Sequence, residues 1–376
     1  MTEVEILEKN YEFKLSDIIE ELKKAGVKRV GLQLPEGLKT YAPDIMKRIE
    51  EETGALCFLS LAPCFGACDL RTEEFKGLGV EKVLHFGHSA IPELEDACSG
   101  EGPDTFFVEM RRCFSPEQLD ALVQRLALLA RKEKATSLLL TSTVQYAHIL
   151  PELQDKLSPK FQVKLQSGDQ RLAHPGQVLG CNFTSASLAQ PCADGKPLIP
   201  EAELLFFIGD GRFHPLGLSL STGKKVLALN PFSLKITEHE PEELLKARRA
   251  AITMALSAES FGILISTKPG QTRLQLGLEE KKRLEAQGKT ALLLFDNELR
   301  PESLSYLPVG VLVSTLCPRF ALDDGARIRK ETGKSVLTPR DLDILLNYLE
   351  TGDSEAFASS MENYRFDEIR ESDQCL

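Results

Sequence analysis

A chain of 376 residues is longer than one hydrophobic core usually serves, so two or three domains are expected. With 42% hydrophobic and 27% charged residues its composition is that of a folded protein in water, and its longest apolar runs, Leu204 to Ile208 and Ala291 to Phe295, fall far short of the ~20 residues that cross a bilayer. A net charge of -11 disfavours a broad nucleic-acid footprint, and the acidic start from Met1 to Tyr11 lacks a signal peptide's basic-then-apolar pattern; a cytoplasmic protein without nucleic-acid or membrane partners is expected.

Apolar runs bounded by Gly, Pro and Ser alternate along the chain with segments of helical period, the pattern of βα units around parallel sheets. In chain order, helical period covers Leu15 to Ala25 and Ala42 to Glu52, flanking the strand Val30 to Leu34, which runs into the turn Pro35-Glu36-Gly37. Cys57 sits in the apolar run Leu56 to Leu61 and reads as core; the loop Ala62 to Leu70 follows with Cys64 and Cys68, then the strand Val83 to Gly87 and Cys98, another core thiol. Ser115-Pro116 opens a helix to Lys132. The strand from Leu138 runs into Thr143-Val144-Gln145, the loop Gly176 to Phe183 carries Cys181, and the strand Leu204 to Ile208 ends at Gly209. Helices are expected over Pro241 to Ser257 and Leu276 to Gln287, around the strand Ile263 to Ser266 and the turn Thr267 to Gly270. Ser314 to Phe320 carries Cys317; the acidic stretch Asp353 to Asp373 reads as a helix end and tail, a possible dimer contact, and Cys375 as an incidental thiol.

Side by side, the runs from Val30, Leu138 and Ile263 form a weak internal repeat, each passing from a buried strand into a polar turn. Each is followed by a cysteine in a loop, 36 residues on from Leu32 to Cys68, 41 from Leu140 to Cys181 and 52 from Ile265 to Cys317. The expected architecture is α/β in three similar domains, each a small parallel sheet flanked by helices, at 1–114, 115–218 and 219–376. Loops at the carboxyl ends of parallel strands are where such sheets build sites, so three cysteine loops can meet at one point.

The nine cysteines, odd in number and dispersed, are unlike the dense framework of a small secreted domain; in a reducing compartment they are free thiols or metal ligands. Cys68, Cys181 and Cys317 each lie within two residues of Gly or Pro on irregular backbone, where a bulky inorganic ligand can approach and free N–H groups can bond its sulfides. A loop cysteine is equally a buried small residue, so recurrence carries the metal reading. Spacing does not decide whether Cys64 or Cys68 is the ligand of its loop.

The segments Gln33-Leu34-Pro35-Glu36-Gly37-Leu38, Gly66-Ala67-Cys68-Asp69, Gly176-Gln177-Val178-Leu179-Gly180-Cys181 and Cys317-Pro318-Arg319 resemble, in order and with compatible spacing, the signature segments of the archaeal diphthamide biosynthesis enzymes, the 2-(3-amino-3-carboxypropyl)histidine synthases. The resemblance implies three domains of one fold around a central [4Fe–4S] cluster held by Cys68, Cys181 and Cys317, with the fourth iron left for S-adenosylmethionine. It implies a radical transferase moving the 3-amino-3-carboxypropyl group onto an imidazole carbon of a histidine in translation elongation factor 2, acting as a homodimer and supplied by an electron donor. An imidazole carbon is less nucleophilic than the ring nitrogens, which is why an electron rather than a simple displacement is needed.

Residues following the strands are expected to reach that cofactor: Gly87 and His88, Gln145, Gly209, Asp210, Gly211 and His214, and, in the third turn, Lys268, Gln271 and Arg273, where the ammonium, amide and guanidinium donors suit a carboxylate. Two competing readings are a Lewis-acid cluster enzyme of the quinolinate synthase type and a non-catalytic subunit that relays electrons to a partner. Three cysteines retained in one chain weigh against the second.

Overall fold

The structure is a computed structural model and describes residues 3–92, 102–186, 188–191, 197–198 and 202–364. Its strands form three main sheets. The first holds β1 (Arg29–Gln33), β2 (Leu56–Leu59), β3 (Lys82–Phe86) and β4 (Asp104–Val108) in the order β2-β1-β3-β4, all parallel. The second holds β5 (Ser137–Ser142), β6 (Gln162–Lys164), β7 (Leu204–Ile208), β8 (Val226–Leu229) and β9 (Ile236–His239) in the order β6-β5-β7-β8-β9, parallel except for β9. The third holds β10 (Ser260–Ser266), β11 (Thr290–Asp296), β12 (Val311–Ser314) and β13 (Ser335–Leu337) in the order β11-β10-β12-β13, again all parallel. In every sheet the first strand in chain order is internal, the second lies on one side of it and the third on the other. The three apolar runs of the internal repeat are those first strands, β1, β5 and β10. Their near-continuous burial, complete along β5, is what a strand covered on both faces requires.

Helices fill the connections for local reasons. In α1 (Leu15–Ala25), Leu15, Ile18, Ile19 and Leu22 form one buried stripe and Gly26 closes the end in left-handed backbone. α2 (Ala42–Thr53) and α3 (Pro116–Lys132) follow; α3 opens with a reciprocal cap between Ser115 and Gln118, with Pro116 in its first turn. Then come α4 (Phe213–Thr222), α5 (Pro241–Ala255), α6 (Leu274–Ala286), α7 (Pro318–Leu322) and α8 (Pro339–Thr351). No helix among the described residues is long and apolar enough to cross a membrane.

The boundary expected near residue 218 falls inside α4, and the second sheet continues beyond it through β8 and β9. Gly223-Lys224-Lys225, just beyond that boundary, is the end of α4 and the way into β8. Gly223 adopts the left-handed C-cap, the Lys224 ammonium donates to the Ala202 carbonyl at 2.9 Å and Lys225 pairs with Glu133 at 3.0 Å. Nor do the sheets keep separate interiors. The first has its own apolar cluster, from Val4 to Met110, with Cys57 inside it as expected. The second and third share another, joining Leu205 and Phe207 to Phe261, Ile263 and Val313 through Ile252 of α5 and Leu345 of α8. Cys98, Cys375 and the acidic tail beyond Tyr364 lie outside the described residues; the tail's start forms the helix Ser354–Glu362.

One buried polar cluster ties the end of the third sheet to its helices. The fully buried Asp341 carboxylate accepts from Arg248 Nη1 at 2.8 Å, the Thr338 backbone N–H at 2.7 Å and the Tyr364 hydroxyl at 3.0 Å. Asp341→Ala leaves the buried Arg248 guanidinium without its anion, and urea unfolding should show a loss of about 3–5 kcal/mol. Tyr364→Phe, which removes one donor from a carboxylate still otherwise satisfied, should cost only about 1–2 kcal/mol.

Candidate functional site

Each of the three expected cysteines is held on a short piece of constrained backbone. Cys68 lies in the loop between β2 and β3. The next residue, Asp69, is fully buried; its carbonyl accepts from the Gln33 amide at the end of β1, and its carboxylate sits 2.9 Å from the Lys268 ammonium. From the third sheet, Gly270 packs flat on Cys68: a Cβ at Gly270 would lie 2.5 Å from the Cys68 Cα and 2.6 Å from its Cβ, so no side chain is tolerated there. Gln271 Nε2 donates to Cys68 Sγ at 3.4 Å.

Cys181 sits at the tip of a tight turn in which Leu179 and Asn182 exchange backbone hydrogen bonds of 2.9 and 3.2 Å. The segment leading into it is stitched to the end of β5, Ser142 N bonding to Gly176 O at 2.9 Å and Val178 N to Ser142 O at 2.8 Å. Gly180 is pressed against α4, where a Cβ would meet the Phe213 ring at 2.1 Å. Cys317 follows β12 and caps α7, its carbonyl accepting from Phe320 N at 3.0 Å. Cys68 and Cys181 therefore follow the second strand of their sheets, whereas Cys317 follows the third. The loops are not topological equivalents.

All three cysteines nonetheless line one cavity of about 420 Å³. Its wall is built from segments that leave the carboxyl ends of parallel strands in all three sheets, as expected for such folds. His88, Gln145, Gly211, His214, Gln271 and Arg273 belong to it. Gly87 stands behind it, its carbonyl accepting from Gln145 Nε2 at 2.7 Å and so joining the first sheet to the second. Gly209 and Asp210 do not reach the wall; Asp210 is exposed and its carboxylate accepts from Gly211 N at 2.8 Å. Lys268 is not free for a ligand's carboxylate, being buried between Asp69 and Glu298, the latter 3.0 Å away. Cys64 is buried outside the wall, so Cys68 is the thiol that this loop presents to the cavity.

Residues 34–356 match the family described as "Putative diphthamide synthesis protein". The chain is 35% identical to the 2-(3-amino-3-carboxypropyl)histidine synthase of Pyrococcus horikoshii across 97% of this chain and 96% of that one. It is 29% identical to subunit 1 of the human 2-(3-amino-3-carboxypropyl)histidine synthase, over 91% of this chain and 74% of the human one. The chain belongs to the diphthamide synthesis protein family. A crystal structure of Dph2 from Pyrococcus horikoshii with a 4Fe-4S cluster superimposes on this family member with a TM-score of 0.77 at 33% identity, covering 96% of this chain and 94% of that one.

Several wall residues of this diphthamide synthesis protein were not singled out from its sequence. Arg171, Arg212 and Arg319 join Arg273, so that four guanidiniums face a single carboxylate, Asp323. Arg319 stacks on the Phe65 ring, 4.2 Å from its centroid, closing the cavity between the first and third sheets. Arg212 pairs with Glu243 at 3.1 Å, whereas Arg171 meets a carboxylate through its backbone N–H, which donates to Asp169 Oδ1 at 2.9 Å, and among the described residues its guanidinium forms no ion pair. Arginines in loops carry no periodic signal; Arg319, beside Cys317-Pro318, and Arg212, between Gly211 and His214, lie in segments marked by their neighbours. Burial pushes the Cys68 thiol up, opposed by the Gln271 hydrogen bond and by Arg171.

Two histidines of the wall are held neutral. Burial pushes His88 down to about 4, and His214, stacked on Phe207 and further disfavoured as a cation by Arg319, also to about 4. A folded-state pKa below the unfolded value of about 6.5 means that His214 contributes its full stability above that pH and loses it as pH falls toward 4. Because the ring borders the cavity, screening trims the effect to about 1–2 kcal/mol between neutral pH and about pH 5. Urea unfolding of the metal-free protein at both pH values should show a loss of stability at the lower pH, to which His85 and His88 add in the same direction, and His214→Gln should reduce that loss by its own share.

Proposed function

We propose that this chain transfers the 3-amino-3-carboxypropyl group of S-adenosylmethionine to an imidazole carbon of a histidine in translation elongation factor 2, the first step toward diphthamide. The observation that carries this reading is the convergence of Cys68, Cys181 and Cys317, one from each sheet, on a cavity that also contains several guanidiniums. The donor set fits a [4Fe–4S] cluster held by three cysteines: among the described residues the wall offers three thiols and no fourth, and Gly270 and Gly180 let the backbone beside two of them pack without a side chain, against Cys68 itself and against the Phe213 ring. When bound, such a cluster supplies the electron that opens a carbon–sulfur bond of the sulfonium, with one iron left for that cofactor.

The chain's own residues do the rest. Gln271 orients the Cys68 sulfur and favours its thiolate by donating to it. Arg171 and Arg273 suit the carboxylate of the transferred group, for which a guanidinium offers two parallel donors. Phe65, Ile91, Val178 and Leu179 supply an apolar wall that keeps water from a reactive carbon radical. A donor from outside the chain must replace the electron consumed, and the substrate factor implies a cytoplasmic reaction. In this reading three α/β units surround the cofactor, the second running to His239 rather than to residue 218.

Reduced, anaerobically reconstituted protein is expected to move label from S-adenosylmethionine into elongation factor 2 without any partner chain. Cys68→Ala, Cys181→Ala and Cys317→Ala should each lose bound iron and label transfer, and Gly270→Ala should lose iron by displacing Cys68. Undiminished transfer by any one cysteine variant would remove that residue from the cluster, and no cleavage of S-adenosylmethionine by the wild type would leave the chain a non-catalytic subunit.

A homodimer is supported by β11, an edge strand on which Leu292, Leu293 and Phe295 are exposed, Phe295 at 77%. Light scattering after size exclusion should give twice the chain mass of 41.7 kDa for the wild type and a monomer for Phe295→Glu; a dimer unaffected by that change would move the interface elsewhere.

A further inference from the structure

Beside the cavity, Cys64, His85 and His88 bring one sulfur and two ring nitrogens within 4.8 Å of one another. Cys64 comes from the loop after β2, His85 from within β3 and His88 from the turn after it. Cys64 Sγ lies 3.7 Å from His85 Nε2 and 4.0 Å from His88 Nδ1, and the two nitrogens are 3.0 Å apart. A zinc-class ion with one thiolate at ~2.3 Å and two imidazoles at ~2.0–2.1 Å in tetrahedral geometry requires sulfur–nitrogen separations of roughly 3.6 Å and a nitrogen–nitrogen separation of roughly 3.3 Å. The three atoms are within a few tenths of an ångström of those values. We propose that Cys64, His85 and His88 bind a single zinc-class divalent ion, separate from the three cysteines of the cavity.

The surroundings select the atoms such an ion needs. Gln33 donates its amide to the Asp69 carbonyl, which turns its Oε1 toward His85 Nδ1, 3.3 Å away. That nitrogen therefore carries the ring proton and Nε2 presents its lone pair toward Cys64, the arrangement that orients metal-bound histidines generally. His88 is held through a hydrogen bond to the Phe65 backbone. Burial keeps both rings neutral, as ligation requires, and also keeps the Cys64 thiol protonated, pushed up to about 12. Binding thus forms one metal–sulfur and two metal–nitrogen bonds and releases the thiol proton to solvent, with no change of oxidation state. The site has three protein ligands, and water completes it. His88 also forms part of the cavity wall, so the ion would stand directly behind that wall.

Cobalt(II) is the optical probe. Added to protein carrying Cys68→Ala, Cys181→Ala and Cys317→Ala, one equivalent per chain should give a thiolate-to-cobalt charge-transfer band with the intense ligand-field bands of a four-coordinate site. A further Cys64→Ser or His85→Gln should abolish the charge-transfer band. Cobalt bound without that band, or a band that survives both changes, overturns the proposal. Because a multiple variant can fail to fold, the wild-type protein with its cluster in place provides the second reading. After zinc loading and desalting it should retain one zinc per chain, with one sulfur and two nitrogen neighbours in X-ray absorption; no retained zinc, or a shell of another composition, overturns it equally.

Discussion

Asp69, buried one residue after Cys68, faces the Lys268 ammonium at 2.9 Å and the Arg71 guanidinium at 3.4 Å, and Glu298 contacts the same two cations. Two acids and two bases, contributed by the loops after β2, β10 and β11, thus neutralise one another between the first sheet and the third. Buried charges of this kind add little net stability over an apolar substitute but tolerate no missing partner. Their value is positional. Lys268 stands two residues before Gly270, whose backbone rests on Cys68, so the ion cluster sets the depth at which that thiol enters the cavity. The rest of the wall is closed by comparable single bonds between sheets, Gln145 to the Gly87 carbonyl and Gln177 Nε2 to Ser89 Oγ at 2.9 Å.

What could be read from the residues follows from the range of the forces involved. β1, β5 and β10 were legible because burial on both faces leaves a continuous apolar run. The helices from Leu15, Ala42, Pro116 and Pro241 were legible because one face repeats with helical period and a Gly just past the end or a Pro in the first turn marks at least one end of each. Cys68, Cys181 and Cys317 stand out as loop thiols within two residues of Gly or Pro, and all three line one cavity. Lys268 was misjudged because its partner Asp69 is remote in the chain, and no local pattern announces a buried pair. Asp210 was misjudged because a Gly-Asp-Gly turn looks alike whether it meets a ligand or solvent. His85, in the middle of a buried strand, reads as core until His88 and Cys64 are seen to converge on it.

The cavity combines an apolar lining with a strong excess of positive charge. Beside buried apolar groups a guanidinium acts on an anion more strongly than it would at the surface, whereas Arg212, with 60% of its side chain exposed, gains little in this way. The same desolvation keeps His88 and His214 uncharged, so positive potential comes from arginines, which stay protonated, and not from groups that titrate near neutrality.

The division of the interior also bears on how the chain is made. The main apolar cluster of the first sheet draws its described members from Val4 to Met110, so a growing polypeptide can complete that portion while the remainder is still being synthesised. Leu205 and Phe207 have no such independence, for the apolar cluster to which they belong also includes Leu345, Met361 and Tyr364. The ribosome therefore releases a finished amino-terminal portion and a long segment whose interior closes only when almost the last described residue emerges, and it is in that interval that exposed apolar strands most need protection from aggregation.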